Sequence, residues 1–305
     1  MKFRCKRVGP NVCVLDCGRF RLDGKRIGRE REEILRADRL AREACGYKIR
    51  TMIGIQPWRR PQEELCHEFS AEYEIFAEDE MHGIRLALER PQTRTLYFNG
   101  ERVAEKPSGW FIDRAIRTIA LPAFKKGKNV LQITEPFGNN TDPEACYLLG
   151  DFGADADETQ TRIFPPQKLE IGSLEGQGLK FYGQNVDYTF EVCLRERGSV
   201  RIIVPHFCGQ LIGVAIDGTE AGNIVYAPYV FESEALPAGK HAIRLRLYGD
   251  NYNTFSPLHV RGEIVWTGDY SWYAEEEGWT YGYLTKPYGI FTAPSVEIVY
   301  GRKTD

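Results

Sequence analysis

The chain has 305 residues, of which 42% are apolar and 27% charged, ordinary globular usage that excludes wholesale disorder. Forty basic against forty-three acidic residues leave a formal charge of −3, which excludes the basic surface of a nucleic-acid-binding protein. No apolar run approaches the roughly 18 residues of a membrane span, and the basic start Met1-Lys2-Phe3-Arg4-Cys5-Lys6-Arg7 leads into Val8-Gly9-Pro10-Asn11, so no signal peptide and a cytoplasmic location are expected.

In chain order, Asn11–Asp16 and Gly18–Gly24 read as strand segments, with Asp23-Gly24 a turn signal. Arg29–Cys45 reads as a helix: Ile34, Ala37, Leu40, Ala41 and Ala44 recur at three- and four-residue steps, and Gly46 stands at the C-cap position. Strand rhythm then takes over at Glu68–Phe76, Gly83–Glu89 and Thr95–Phe98, the last running into the hairpin turn Asn99-Gly100. Further strands are expected at Arg117–Leu121, Asn129–Thr134 and Ala145–Leu149. With 37 aromatic residues (16 Tyr, 16 Phe, 5 Trp), 30 Gly and 16 Pro, this is the palette of an all-β protein of jelly-roll type.

The second half repeats the first. Leu96–Glu101 followed by Gly127–Ile133 matches Val214–Thr219 followed by Pro237–Leu245: strand, tight turn, return, then a Gly-Lys turn launching a long alternating strand. The acidic stretch Asp151–Thr161 reads as a linker before Pro165-Pro166. The expected architecture is all-β: two tandem antiparallel β-sandwiches, a helix-bearing one over residues 1–155 and a second over 156–305.

The segment Leu247–His259, with Asn11–Asp16, Gly109–Asp113, Tyr147–Gly153 and Gly178–Gly183, resembles the C-terminal non-catalytic region of large bacterial glycoside hydrolases of the α-L-rhamnosidase kind. The resemblance runs from about Asn11 to Ile298 and implies galactose-binding-like β-sandwich modules. It rests on turns and core positions, not catalytic signatures. Ser256 stands where that pattern has Gly, and the chain has no room for a catalytic barrel, which needs about 250 residues.

The chemistry-bearing residues add little beyond this. Eight cysteines without a Cys-x-x-Cys pair read as small core residues instead of disulfides or zinc ligands. Glu275-Glu276-Glu277 reads as a solvated turn, although glycoside hydrolysis would need two carboxylates about 5–5.5 or 6.5–9.5 Å apart. Asp155, Asp157 and Glu158 suit a calcium loop less well than a polar linker. Five histidines form no metal or acid–base set, and His259 reads as a hydrogen-bonded, half-buried residue; no cofactor or metal is expected. The remaining signal is the aromatic run Trp266–Tyr288. Trp266 reads as core. Trp272 and Trp279, with Tyr270, Asp269, Asn251 and Asn253, form the candidate carbohydrate contact, flat rings flanked by hydroxyl-binding groups. The expected function is therefore a non-catalytic carbohydrate-associated module that binds glycan weakly or supports a catalytic glycoside hydrolase domain or another chain. A hydrolase with carboxylates between the sandwiches and a purely structural interaction module are the alternatives.

Overall fold

The computed structural model describes residues 2–49, 63–104, 106–262, 269–272 and 276–300. Its regular structure is overwhelmingly strand, arranged in antiparallel sheets around buried apolar cores, so the chain is an all-β sandwich protein. Two compact units form, but they are not consecutive halves. One comprises Asn11–Pro166 and Ser256–Leu284; the other comprises Met1–Pro10, Gln167–Phe255 and Thr285–Asp305. The boundary expected after residue 155 falls inside the strand Gly153–Ala156.

In the first unit, a five-stranded sheet runs in the order Asn11–Leu15, Cys146–Gly150, Arg85–Glu89, Asp113–Ala120, Trp110–Phe111. A larger sheet is built around His67–Ala77 and Gly127–Phe137, paired over eleven residues. Period-two alternation sets its two faces. Phe69, Ala71, Tyr73, Ile75 and Ala77 are buried with Leu131, Ile133 and Phe137, while Glu72, Glu74 and Phe76 project from the other face. Cys17–Leu22 joins this sheet beside His67–Ala77 and forms a hairpin with Lys25–Glu33 through the turn Asp23-Gly24.

Two expectations are corrected here. The helix starts at Ile34, not Arg29: residues 29–33 are charged and complete the strand Lys25–Glu33, and the apolar period begins only at Ile34. The acidic stretch 151–161 is not a linker. Gly153–Ala156 and Thr161–Phe164 form a hairpin whose second strand adds parallel to His67–Ala77. Its acids make turns and ion pairs: Asp157 Oδ1 accepts from the Thr159 and Gln160 N–H groups, and Asp155 pairs with Arg162 at 2.8 Å.

In the second unit, a five-stranded sheet runs Arg4–Arg7, Val186–Leu194, Gly239–Tyr248, Leu211–Ile216, Thr219–Ile224. A three-stranded sheet runs Val230–Glu232, Gly198–Ile203, Ser295–Tyr300. Val186, Tyr188, Val214 and Leu245 of the former share one apolar core with Val200 and Ile202 of the latter.

Candidate functional site

The six residues expected to contact carbohydrate fall in both units. Asn251 and Asn253 belong to the second. Asn253 is buried, its Nδ2 donating to the Lys286 carbonyl and its Oδ1 accepting the Lys286 N–H, both at 2.8 Å. That amide holds the loop at Lys286. Asn251 takes φ +56° and anchors the short helix Tyr252–Phe255, its carbonyl accepting from Thr254 and Phe255. Asp269–Trp272 form a 3₁₀ turn of the first unit, with Trp272 half-buried. The side chains of Asp269 and Tyr270, like all of Trp266, Tyr273 and Glu275, lie outside the described residues. Trp279 is 9% exposed, so it is not an open stacking platform: it packs on the His259 ring, centroids 5.3 Å apart and planes 25° apart.

That stack belongs to a polar centre within the first unit. The fully buried strand Asn11–Leu15 delivers Asp16 and Cys17, and the hairpin returns Glu33 opposite Cys17 and Glu32 opposite Gly18. The helix begins against this corner: the Ile34 N–H donates to the Asp16 carbonyl at 2.8 Å. Glu33 caps it, Oε1 accepting from Leu35 N–H and Oε2 from Arg36 N–H, both at 3.0 Å.

Ser256–Leu284 supplies the remainder. His259 Nδ1–H donates to the Thr280 carbonyl at 3.0 Å, and Nε2 faces Asp16 Oδ2 at 3.2 Å and Cys17 Sγ at 3.8 Å. Tyr283 donates its hydroxyl to Asp16 Oδ1 at 2.5 Å, and Tyr281 donates to Glu32 Oε1 at 2.9 Å. Towards solvent, the guanidinium of Arg36 lies 5.2 Å from the Trp279 ring and that of Arg29 4.5 Å from Tyr281.

Burial opposes the charge of Asp16, but the His259 charge and the hydrogen bonds from His259 and Tyr283 outweigh it and hold the carboxyl below its ordinary range. Burial also opposes the imidazolium, and Asp16 outweighs it, raising His259. Burial first, then Asp16, pushes Glu33 up to about 7. Burial and the two carboxylates push the Cys17 thiol well up. A carboxyl near neutrality beside an ionised one is the split that acid–base catalysis uses. Here, though, both Glu33 oxygens are engaged by the helix terminus, so the pair is built into the framework.

A second feature is open. On the outer face of the large sheet, a cleft of about 240 Å³ is lined by Arg19, Arg31, Glu72, Glu74, Lys128 and Gln160, with Gly18, Thr159, Thr161 and Phe76 among its neighbours. Arg19 Nη1 meets Glu72 Oε1 at 2.9 Å and also bonds Glu74, which Lys128 reaches from the other side. Those hydrogen bonds, led by that to Glu72, raise Arg19 further. Glu74, despite some burial, is lowered by Lys128 and Arg19. The Phe76 ring, 46% exposed, borders the cleft.

Neither place is marked by a local motif. Asp16 and His259 meet across 243 residues, and Arg19 meets Glu72 and Glu74 across more than fifty. Alternation along His67–Ala77 does, however, put Glu72, Glu74 and Phe76 on one face, and this was the available signal for the cleft.

No protein-family model matches the sequence, and no curated protein matches it. Solved structures similar to part of it include a rhamnosidase from Novosphingobium sp. (15% identity, TM-score 0.32, 78% of this chain and 23% of that one). A β-D-mannosidase from Dictyoglomus thermophilum is similar at 12% identity and TM-score 0.27, over 79% of this chain and 31% of that one. A GH2 β-galacturonidase from Eisenbergiella tayi is similar at 13% identity and TM-score 0.25, over 75% and 37%. The chain thus spans between 23% and 37% of the length of these glycoside hydrolases. Likeness at this level carries no activity across.

Proposed function

We propose that this chain is a carbohydrate-associated β-sandwich module that binds glycan without cleaving it, and that the cleft on the outer sheet face of the first unit receives a sugar. The observation that supports this is the lining of the cleft: a guanidinium, carboxylates, an ammonium and an amide beside the exposed ring of Phe76. Planar, charged hydrogen-bonding groups suit vicinal hydroxyls, and an aromatic face suits the C–H side of a pyranose. At about 240 Å³ the cleft is smaller than the roughly 300–1,000 Å³ of drug-sized sites and suits a single ring.

A hydrolytic role is disfavoured by the same geometry. Glu72 and Glu74 converge on one nitrogen of Arg19 instead of facing each other across a sugar-sized gap. Glu74 is held ionised by its cations and has no proton to donate at neutral pH.

Glycan-array screening followed by calorimetry tests the reading. Arg19→Ala removes a charged partner worth about 1.5–3 kcal/mol, so affinity for any captured glycan falls about tenfold or more, and Phe76→Ala weakens it further. Binding that survives both changes but is lost in Trp272→Ala rejects the cleft. Failure to bind any glycan favours the purely structural role.

A further inference from the structure

The polar centre of the first unit contains an arrangement that neither helix capping nor sugar binding uses. Asp16, Cys17 and His259 are each buried, and one donor atom from each lies within 4.8 Å of the other two. We propose that these three side chains bind a zinc ion, Asp16 through Oδ2, Cys17 through Sγ and His259 through Nε2.

Two geometric observations carry this. First, the carboxylate and the sulfur approach the same ring nitrogen, at 3.2 and 3.8 Å. In a nucleophilic relay of cysteine, histidine and acid, the acid orients one imidazole nitrogen while the thiol sits on the other. Convergence on one nitrogen is instead how ligands stand around a common centre. Bonds of about 2.0–2.3 Å in tetrahedral geometry place a nitrogen and an oxygen ligand roughly 3.3 Å apart, and a nitrogen and a sulfur roughly 3.6 Å apart. The observed spacings are close to both.

Second, the outer hydrogen bonds are those of a ligand set. His259 Nδ1–H is fixed by the Thr280 carbonyl at 3.0 Å, which leaves Nε2 as the donor atom. Asp16 Oδ1 is held by the Tyr283 hydroxyl at 2.5 Å, which turns Oδ2 towards His259 Nε2 at 3.2 Å, the side on which it would coordinate. Such second partners orient metal ligands and fix the tautomer. Mixed Cys/His/carboxylate donors favour zinc over magnesium or calcium. On binding, His259 gives up the Nε2 proton that it shares with Asp16 and Cys17 gives up its thiol proton, both to solvent, and the two coordinate as neutral imidazole and thiolate.

The test uses the whole chain, stripped with a chelator, reloaded with zinc or cobalt(II), and assayed for metal by mass spectrometry and visible absorption. About one equivalent of zinc per chain is expected, and cobalt should show a thiolate-to-metal charge-transfer band with the strong d–d bands of tetrahedral geometry. Cys17→Ser should abolish the charge-transfer band while leaving the far-UV circular dichroism unchanged. Tyr283→Phe should weaken zinc binding about 10–100-fold, and His259→Gln should lose stoichiometric metal. If His259→Gln does not fold, the wild-type cobalt spectrum and Cys17→Ser still decide. Zinc below about a tenth of an equivalent in the reloaded wild type, or a charge-transfer band that persists in Cys17→Ser, overturns the proposal.

Discussion

Asp217 stands at φ +50° ahead of Gly218, and its side chain clasps the strand that returns beside it. Oδ1 accepts the Ala242 N–H at 2.8 Å and Oδ2 meets His241 Nδ1 at 2.7 Å, while His241 Nε2 donates to the Pro237 carbonyl at 3.0 Å. Asn99, at φ +52° ahead of Gly100, makes the same clasp in the first unit. Its Oδ1 accepts the Val130 N–H at 2.8 Å, its Nδ2 donates to Asn129 Oδ1 at 3.0 Å, and Asn129 Nδ2 donates to the Lys125 carbonyl at 2.7 Å. The repeat read from Gly127-Lys128-Asn129 and Gly239-Lys240-His241 is thus a shared hydrogen-bond design, legible because turn chemistry is local. The two versions differ in charge. Hydrogen bonds from His241 and Ala242 hold the Asp217 carboxyl below its ordinary range, and Asp217 with the Pro237 carbonyl raises His241. The contribution of His241 is complete below its unfolded value near 6.5 and fades as pH rises through the raised folded value. That of Asp217 is complete above its unfolded value near 3.8 and fades as pH falls through the lowered one. The clasp is therefore strongest between about pH 4 and 6.5. Replacing both residues, Asp217→Asn with His241→Asn, imports the neutral pair and should flatten the loss of stability above pH 6.5 seen in urea midpoints. Parallel stability–pH curves for wild type and double variant would show that the clasp is not ionised.

The helix Ile34–Cys45 shows where periodicity reads correctly and where it slips. Ile34, Ala37 and Ala41 are buried as the apolar spacing requires, but Leu40 is 37% exposed and Asp38 and Arg42 take the place of Leu40 and Ala44 on the inner face. Hydrophobicity alone cannot reveal this, because the buried guanidinium is satisfied by Asp38 on the same helix and by carbonyls far along the chain. Arg42 Nε meets Asp38 Oδ2 at 2.7 Å, Nη1 donates to the Asn139 carbonyl at 2.8 Å and Nη2 to the Thr141 carbonyl at 2.5 Å. Only the i, i+4 half of that arrangement is local. Arg42→Leu takes the cation from the buried Asp38 carboxylate and the donor from the two carbonyls and should cost about 3–5 kcal/mol in denaturant unfolding. Asp38→Leu added to it should recover most of the loss, since an apolar pair of similar volume has no charge to bury. A double variant no more stable than the single would show that the Asn139 and Thr141 carbonyls, and not the ion pair, dominate.

At the scale of the whole molecule, strand rhythm, turns and the all-β class were readable from short windows, whereas unit membership was not. Trp279, set among glycines and acids, reads as part of a carbohydrate contact but packs on the His259 ring; beside it Tyr281 and Tyr283 bond Glu32 and Asp16, more than two hundred residues away and without a local cue. Compact units assembled from separated segments make a prediction about cooperativity. Amide exchange should follow unit membership instead of sequence order. Destabilising the first unit with Arg42→Leu should speed exchange at the amides of Arg261, Thr280 and Leu284, which are bonded to the Gly278, His259 and Leu258 carbonyls, together with those of Asn11–Leu15. The strands Arg4–Arg7 and Ser295–Tyr300 should keep their protection. Leu245→Ala, which removes a side chain at 0% exposure from the second core at about 2–5 kcal/mol, should reverse the pattern. It should open Arg4–Arg7, bonded to Val186–Leu194, while Ser256–Leu284 stays closed. If Ser256–Leu284 opened with the second unit in either variant, the interleaved division would be wrong, and the His259 centre would have to be rebuilt from a different set of partners.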